Sequence, residues 1–130
     1  MRVDVLGVAF DNVTLEEAVD RGLELLEREG PHLVVTPNPE IVQRAEKDRA
    51  FSEILAQADL VLPDGVGVIY AAKILGRPLR ARVPGIDFAS ALMGRAAGLG
   101  KRLYLLGAAP GVAEQAAVNL RAAYPGLVVC

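Results

Sequence analysis

His32-Leu33-Val34-Val35-Thr36-Pro37-Asn38-Pro39-Glu40 sets a strand and the start of a helix back to back. The β-branched run from His32 to Thr36 suits a buried strand. Asn38-Pro39 is a helix start, with Asn as N-cap and Pro at the first helical position, where its missing amide costs nothing. Ile41, Val42 and Ala45 follow at helical spacing and are expected to face a core. A strand feeding a helix in this way is half of a crossover unit, so the question for the rest of the chain is whether the pattern recurs.

It recurs on both sides. Upstream, Val3-Asp4-Val5-Leu6 alternates and runs into Gly7-Val8, a strand signal that carries on weakly through Ala9-Phe10. Thr14-Leu15-Glu16-Glu17 reads as a capping box and opens a helix that runs to about Arg28, before a break at Gly30-Pro31. Downstream, a second helical run after Asp48 carries Phe51, Ile54 and Leu55, and Asp59-Leu60-Val61-Leu62 is a third strand ending at Pro63. A helix is expected from about Gly65 to Gly76 and another from Ile86 to Ala97. Arg102 to Leu106 is a fourth strand, Gly107 to Gly111 a turn, Val112 to Ala123 an Ala-rich helix and Leu127 to Cys130 a last strand. The alternation predicts an α/β fold, a mostly parallel Rossmann-like sheet with helices on both faces. Because the chain closes inside an apolar strand, it is expected to be the N-terminal part of a longer domain. An edge strand left uncovered there is expected to promote self-association into a homo-oligomer.

Composition bounds the function. With 130 residues, 52% of them apolar and 23% charged, the chain is expected to fold as one globular domain. Lys and Arg number 14 against 16 Asp and Glu, a net charge of −2, which argues against a dedicated nucleic-acid binder. No stretch approaches the roughly 20 apolar residues of a membrane span, so the expected location is cytoplasmic. The one cysteine, Cys130, cannot form an internal bridge.

In an open parallel sheet, ligands bind outside the carboxyl ends of the strands, so the loops after Thr36, Leu62 and Leu106 are where chemistry is expected. Thr36-Pro37-Asn38-Pro39-Glu40 sets a hydroxyl and an amide beside a helix N-terminus that favours anionic groups; taken alone, ordinary capping is the better account of it. Pro63-Asp64-Gly65-Val66-Gly67 places a carboxylate at a strand end and clears side chains from Gly65 and Gly67, so a ligand can approach the backbone; alternatively Asp64 is an N-cap. Lys73, Arg77, Arg80 and Arg82 form the one basic concentration, suited to a diphosphate or simply to a solvated helix end. The turn from Leu106-Gly107 to Gly111 resembles a nucleotide loop but has neither Gly-x-Gly-x-x-Gly nor Walker spacing, which disfavours a dinucleotide-binding domain. His32 reads as structural. Clustered His or Cys ligands and an Asp-x-Asp pair are absent from the sequence, so no metal and no cofactor is expected.

Together, Thr36-Pro37-Asn38-Pro39-Glu40, Pro63-Asp64-Gly65-Val66-Gly67, Arg82-Val83-Pro84-Gly85-Ile86-Asp87 and the run from Tyr104-Leu105-Leu106-Gly107 through Pro110-Gly111-Val112-Ala113-Glu114 to Tyr124-Pro125-Gly126 resemble the WecG/TagA/CpsF glycosyltransferase family, most of all its TagA branch. The resemblance covers residues 1–130, as the N-terminal portion of a glycosyltransferase domain whose C-terminal part is absent. It implies an inverting, metal-independent transfer of N-acetylmannosamine or a related hexose from a UDP-sugar donor to an undecaprenyl-diphosphate-linked N-acetylglucosamine acceptor. That step belongs to teichoic acid or other cell-envelope polysaccharide synthesis, at the inner face of the plasma membrane. It further implies Asp64 as catalytic base with Thr36 beside it, Asn38 in the donor sugar pocket and Arg82 on the departing diphosphate. Gly65, Gly67 and Gly107 would be backbone-approach positions, and Asp87 a further substrate-binding candidate. A non-catalytic nucleotide- or sugar-binding module is the alternative.

Overall fold

The computed structural model describes residues 1–130 as two compact units, Met1–Phe88 and Ala89–Cys130, with the division inside a helix. The protein is α/β, its strands short and its helices carrying most of the ordered chain.

The first unit opens with β1 (Arg2–Val5) and β2 (Val8–Asp11), paired antiparallel in the register Arg2↔Asp11 to Val5↔Val8. This corrects the single-strand reading of residues 3–10. The chain reverses at Leu6-Gly7, both at positive φ (52° and 93°), as a two-residue hairpin turn of the primed kind requires. The Asp4 carboxylate accepts the Gly7 amide at 3.1 Å and steadies the turn.

α1 (Leu15–Glu27) starts at the expected capping box: the Thr14 hydroxyl accepts from the Glu17 amide and the Glu17 carboxylate from the Thr14 amide. β3 (Val34–Val35) leads into α2 (Pro39–Lys47), capped by Asn38 Oδ1 on the Ile41 amide at 2.9 Å. α3 (Arg49–Gln57) follows at once, capped by Asp48 on the Phe51 amide at 3.0 Å. β4 (Leu60–Val61) pairs parallel with β3, and α4 (Val66–Ile74) leaves from its end. The β3–β4 pairing extends beyond its formal ends through Asp59 N–H to Leu33 O, Leu62 N–H to Val35 O and Asp64 N–H to Pro37 O. Val3, Val5, Val8, Phe10, Val42, Ala45, Leu55, Val61, Val68 and Ala72 close one core between the hairpin, β4 and helices α2 to α4.

α5 (Gly85–Ala97) begins in the first unit and ends in the second. In the second unit β5 (Arg102–Leu103) pairs parallel with β6 (Val128–Val129), with α6 (Val112–Ala123) between them in the chain. These strands are shorter than the sequence pattern suggests, although Cys130 N–H still reaches Leu103 O at 2.9 Å. Two of the three strand pairs are parallel, as expected of crossover units, and each pair stands as a separate two-stranded sheet.

Candidate active site

Three backbone segments meet at the carboxyl ends of β3 and β4. Thr36 ends the first, Asp64 the second, and Arg82-Val83-Pro84-Gly85 enters α5 as the third. The Asp64 amide donates to Pro37 O at 3.2 Å and the Val83 amide to Pro63 O at 2.8 Å, so the loops are laid side by side like an irregular continuation of the sheet. Pro37, Pro63 and Val83 are fully buried beneath them. Thr36 and Asp64 are half-buried at the surface of this junction.

The Asp64 carboxylate does not cap the helix that follows it. Gly65 is the N-cap of α4, at φ 101°, and α4 has no side-chain cap. Asp64 Oδ2 instead accepts the amide of Gly85, the first residue of α5, at 3.2 Å. A carboxylate at a helix N-terminus satisfies an amide that has no partner within the helix and lies favourably in the helix dipole. With Oδ2 so engaged, Oδ1 is left for an incoming donor. Thr36 crowds the same residue: a Cβ at Gly85 would fall 2.9 Å from Thr36 Oγ1 and 3.2 Å from its Cγ2. Thr36 and Asp64 thus both lie against Gly85.

The other sequence candidates are distributed as follows. Asn38 spends Oδ1 on its helix cap and keeps its amide donors uncommitted. Gly67 packs against the α2 start, since a Cβ there would meet Pro39 Cγ at 2.8 Å. That close approach is to the protein's own proline. Arg82 is exposed, carries no ion pair and immediately precedes the Val83 that anchors the third segment. Asp87 is exposed in the first turn of α5. Gly107 lies in the second unit, at φ 106°, so only glycine suits its backbone. Of the basic group, Arg80 is spoken for: its guanidinium pairs with Glu17 and its backbone amide donates to Asn12 Oδ1 at 2.8 Å. Lys73, Arg77 and Arg82 remain exposed and without salt bridges. A groove of about 90 Å³ lined by Leu6, Pro39, Gln43, Gly67 and Ala71 holds no titratable side chain.

Gly85 was not among the candidates read from the sequence, although Pro84-Gly85 before a helical run was its signal. Asp11 was also missed. It is the one buried charge of the chain, 2% exposed, and Arg2, Arg21 and the Val61 amide all converge on its carboxylate. His32, read as structural, lies half-buried with Nδ1 3.5 Å from the Asp59 carboxylate.

The chain matches the model of the glycosyl transferase WecG/TagA/CpsF family over residues 3–130. Among curated proteins it is similar to the N-acetylglucosaminyldiphosphoundecaprenol N-acetyl-beta-D-mannosaminyltransferases of Staphylococcus aureus strains NCTC 8325, COL and MRSA252. Identity to each is 35% over 128 residues, which is 97% of this chain and 50% of the relative. The chain therefore spans about half the length of the curated relatives it matches.

Proposed function

Because the chain belongs to the WecG/TagA/CpsF glycosyl transferase family, we propose that it carries the catalytic loops of a hexosyltransferase acting on a UDP-sugar donor and an undecaprenyl-diphosphate-linked N-acetylglucosamine acceptor. The sugar moved is N-acetylmannosamine or a close relative, in keeping with the names of the similar proteins. The observation that carries this reading is the junction of Thr36, Asp64 and Gly85 at the ends of two parallel strands, where the sequence motifs of the family fall.

The reaction is a single displacement. The acceptor hydroxyl oxygen attacks the anomeric carbon, the bond from that carbon to the UDP oxygen breaks, and the configuration inverts. Asp64 takes the hydroxyl proton on Oδ1, the oxygen not engaged by Gly85. Thr36 and the Asn38 amide hydrogen-bond the donor sugar. Arg82, exposed and unpaired, meets the negative charge on the departing diphosphate. Asp87 contacts a substrate hydroxyl, and the backbone at Gly65 borders the ligand, while the space at Gly67 is filled by Pro39. Gly107 is kept as the second unit's own candidate position. The finer fold belongs to the same proposal: a mostly parallel Rossmann-like sheet flanked by helices on both faces.

No helix is long and apolar enough to cross a membrane. A lipid-linked acceptor places the enzyme at the inner face of the plasma membrane, attached peripherally, and the pathway is cell-envelope polysaccharide synthesis of the teichoic acid kind. Calorimetric titration with UDP-N-acetylmannosamine, UDP and NAD tests the donor class. Binding of the two uridine compounds without NAD is expected; NAD binding with no response to either uridine compound would overturn the reading.

A further inference from the structure

We propose that Gly85 is a positioning residue of this site, and that its lack of a side chain is what lets one helix end hold the Asp64 carboxylate and seat the Thr36 hydroxyl at the same time. The inference rests on the reading of Asp64 as base. Two independent contacts carry it. The Gly85 amide donates to Asp64 Oδ2 at 3.2 Å, and the Gly85 α-carbon is so close to Thr36 that a methyl group would press on Oγ1 at 2.9 Å, Cγ2 at 3.2 Å and Cβ at 3.3 Å. Gly85 is not among the glycines at positive φ, so its backbone does not call for glycine; the neighbouring threonine does.

The helix entry is anchored. Val83, fully buried, donates to Pro63 O, and the Phe88 side chain in the first turn of the helix is buried. With the backbone held at residue 83 and the first turn seated by Phe88, a side chain at residue 85 is accommodated by moving Thr36 away or by drawing the amide off Asp64. Either movement displaces one of the two groups that face the substrate, and a displacement of this size at a reacting group costs turnover more than ground-state affinity. Gly85 touches no substrate itself; it acts through the two residues it seats.

The test uses the full-length protein, with UDP release in the presence of a UDP-sugar and a lipid-linked acceptor analogue as the readout. Gly85→Ala is expected to lower kcat at least tenfold, with the donor KM changed less than threefold and the thermal midpoint lowered by only a few degrees. In the Thr36→Ser background, which removes the methyl at 3.2 Å and leaves the hydroxyl at 2.9 Å free to turn about an unbranched Cβ, Gly85→Ala is expected to lose distinctly less. Should Gly85→Ala fail to fold, Gly85→Ala in the Thr36→Ser background carries the measurement. A kcat within twofold of its background, or the same fold-loss in the threonine and serine backgrounds, overturns the inference. Asp64→Asn is measured alongside: if it retains turnover, the reading of the base fails and this inference with it. Loss of turnover in Asp64→Asn with normal kcat in Gly85→Ala removes the inference alone.

Discussion

Asp11 Oδ2 accepts the backbone amide of Val61 at 2.8 Å, joining the end of the N-terminal hairpin to the strand that delivers Asp64. The other oxygen of the same carboxylate receives Arg2 and Arg21 at 3.4 and 3.3 Å, and Arg2 in turn donates to the carbonyls of Ala56 and Ala58. One buried charge therefore ties β2, β4, α1 and the end of α3 together.

Asp11→Ala leaves the fully buried Val61 without an amide partner, and an unsatisfied buried donor costs about 1–3 kcal/mol. Losing the two guanidinium contacts adds to that, tempered because both arginines reach solvent. Urea unfolding is expected to show a loss of about 2–4 kcal/mol, with Asp11→Asn nearer 1, since the amide oxygen still accepts. A variant Asp11→Ala as stable as the parent would show that the hairpin is not held this way.

Glycine at position 67 costs helix stability, and alanine there would ordinarily return about 0.5–1 kcal/mol. The sign is expected to reverse, because the added methyl falls 2.8 Å from the Pro39 ring at the rigid first turn of α2. Gly67→Ala should destabilise by about 1–2 kcal/mol in the same unfolding assay. A gain in stability would mean that α2 and α4 part easily at their N-termini.

The bond from Arg80, followed by that from the Thr14 hydroxyl, holds the Glu17 carboxyl below the ordinary carboxylate range. A lowered folded value means that the pair's stabilisation is fully present above the ordinary value and fades as pH falls through the lowered one. Arg80→Gln should move the Glu17 midpoint back up in a carboxyl NMR titration. The effect on stability should be small, because the pair is exposed and salt screens it. An unmoved midpoint would exclude Arg80 as the cause.

Arg82 is expected to serve the diphosphate rather than the sugar. Since hydrogen bonds to charged groups contribute about 1.5–3 kcal/mol, Arg82→Ala should weaken UDP-sugar binding roughly tenfold or more and leave the nucleotide-free sugar unaffected. Equal effects on both would remove Arg82 from the phosphates.

Local chemistry was legible in the sequence. Thr14 with Glu17, Asn38 with Pro39, and the helix boundaries at Gly65 and Gly111 depend on residues a few positions apart, and each stands where the pattern puts it. The hairpin was not legible, because its turn asks Leu6, an L-residue, to take a positive φ at a cost of about 1 kcal/mol, and nothing in the alternation of residues 3–10 marks that reversal. Strand length was overread at residues 102–106, where the apolar run continues past the backbone pairing that a second segment supplies. At the site, the sequence pointed to Asp64 and Thr36 but not to what unites them. The Asp64 carboxylate could have been taken for the cap of α4; its partner lies 21 residues away in α5, a relation set by how the loops pack.

The account turns on Asp64 as the group that removes the acceptor proton. The measurement that meets this most directly is turnover of Asp64→Asn in the full-length protein, with donor affinity determined by calorimetry on the same preparation. Asparagine keeps an oxygen for the Gly85 amide, so the helix entry should stay in place while the base is lost. The expected result is a fall in kcat of about 100-fold or more, the usual worth of a general base, with donor affinity within a few-fold. Turnover close to that of the parent enzyme would contradict the account.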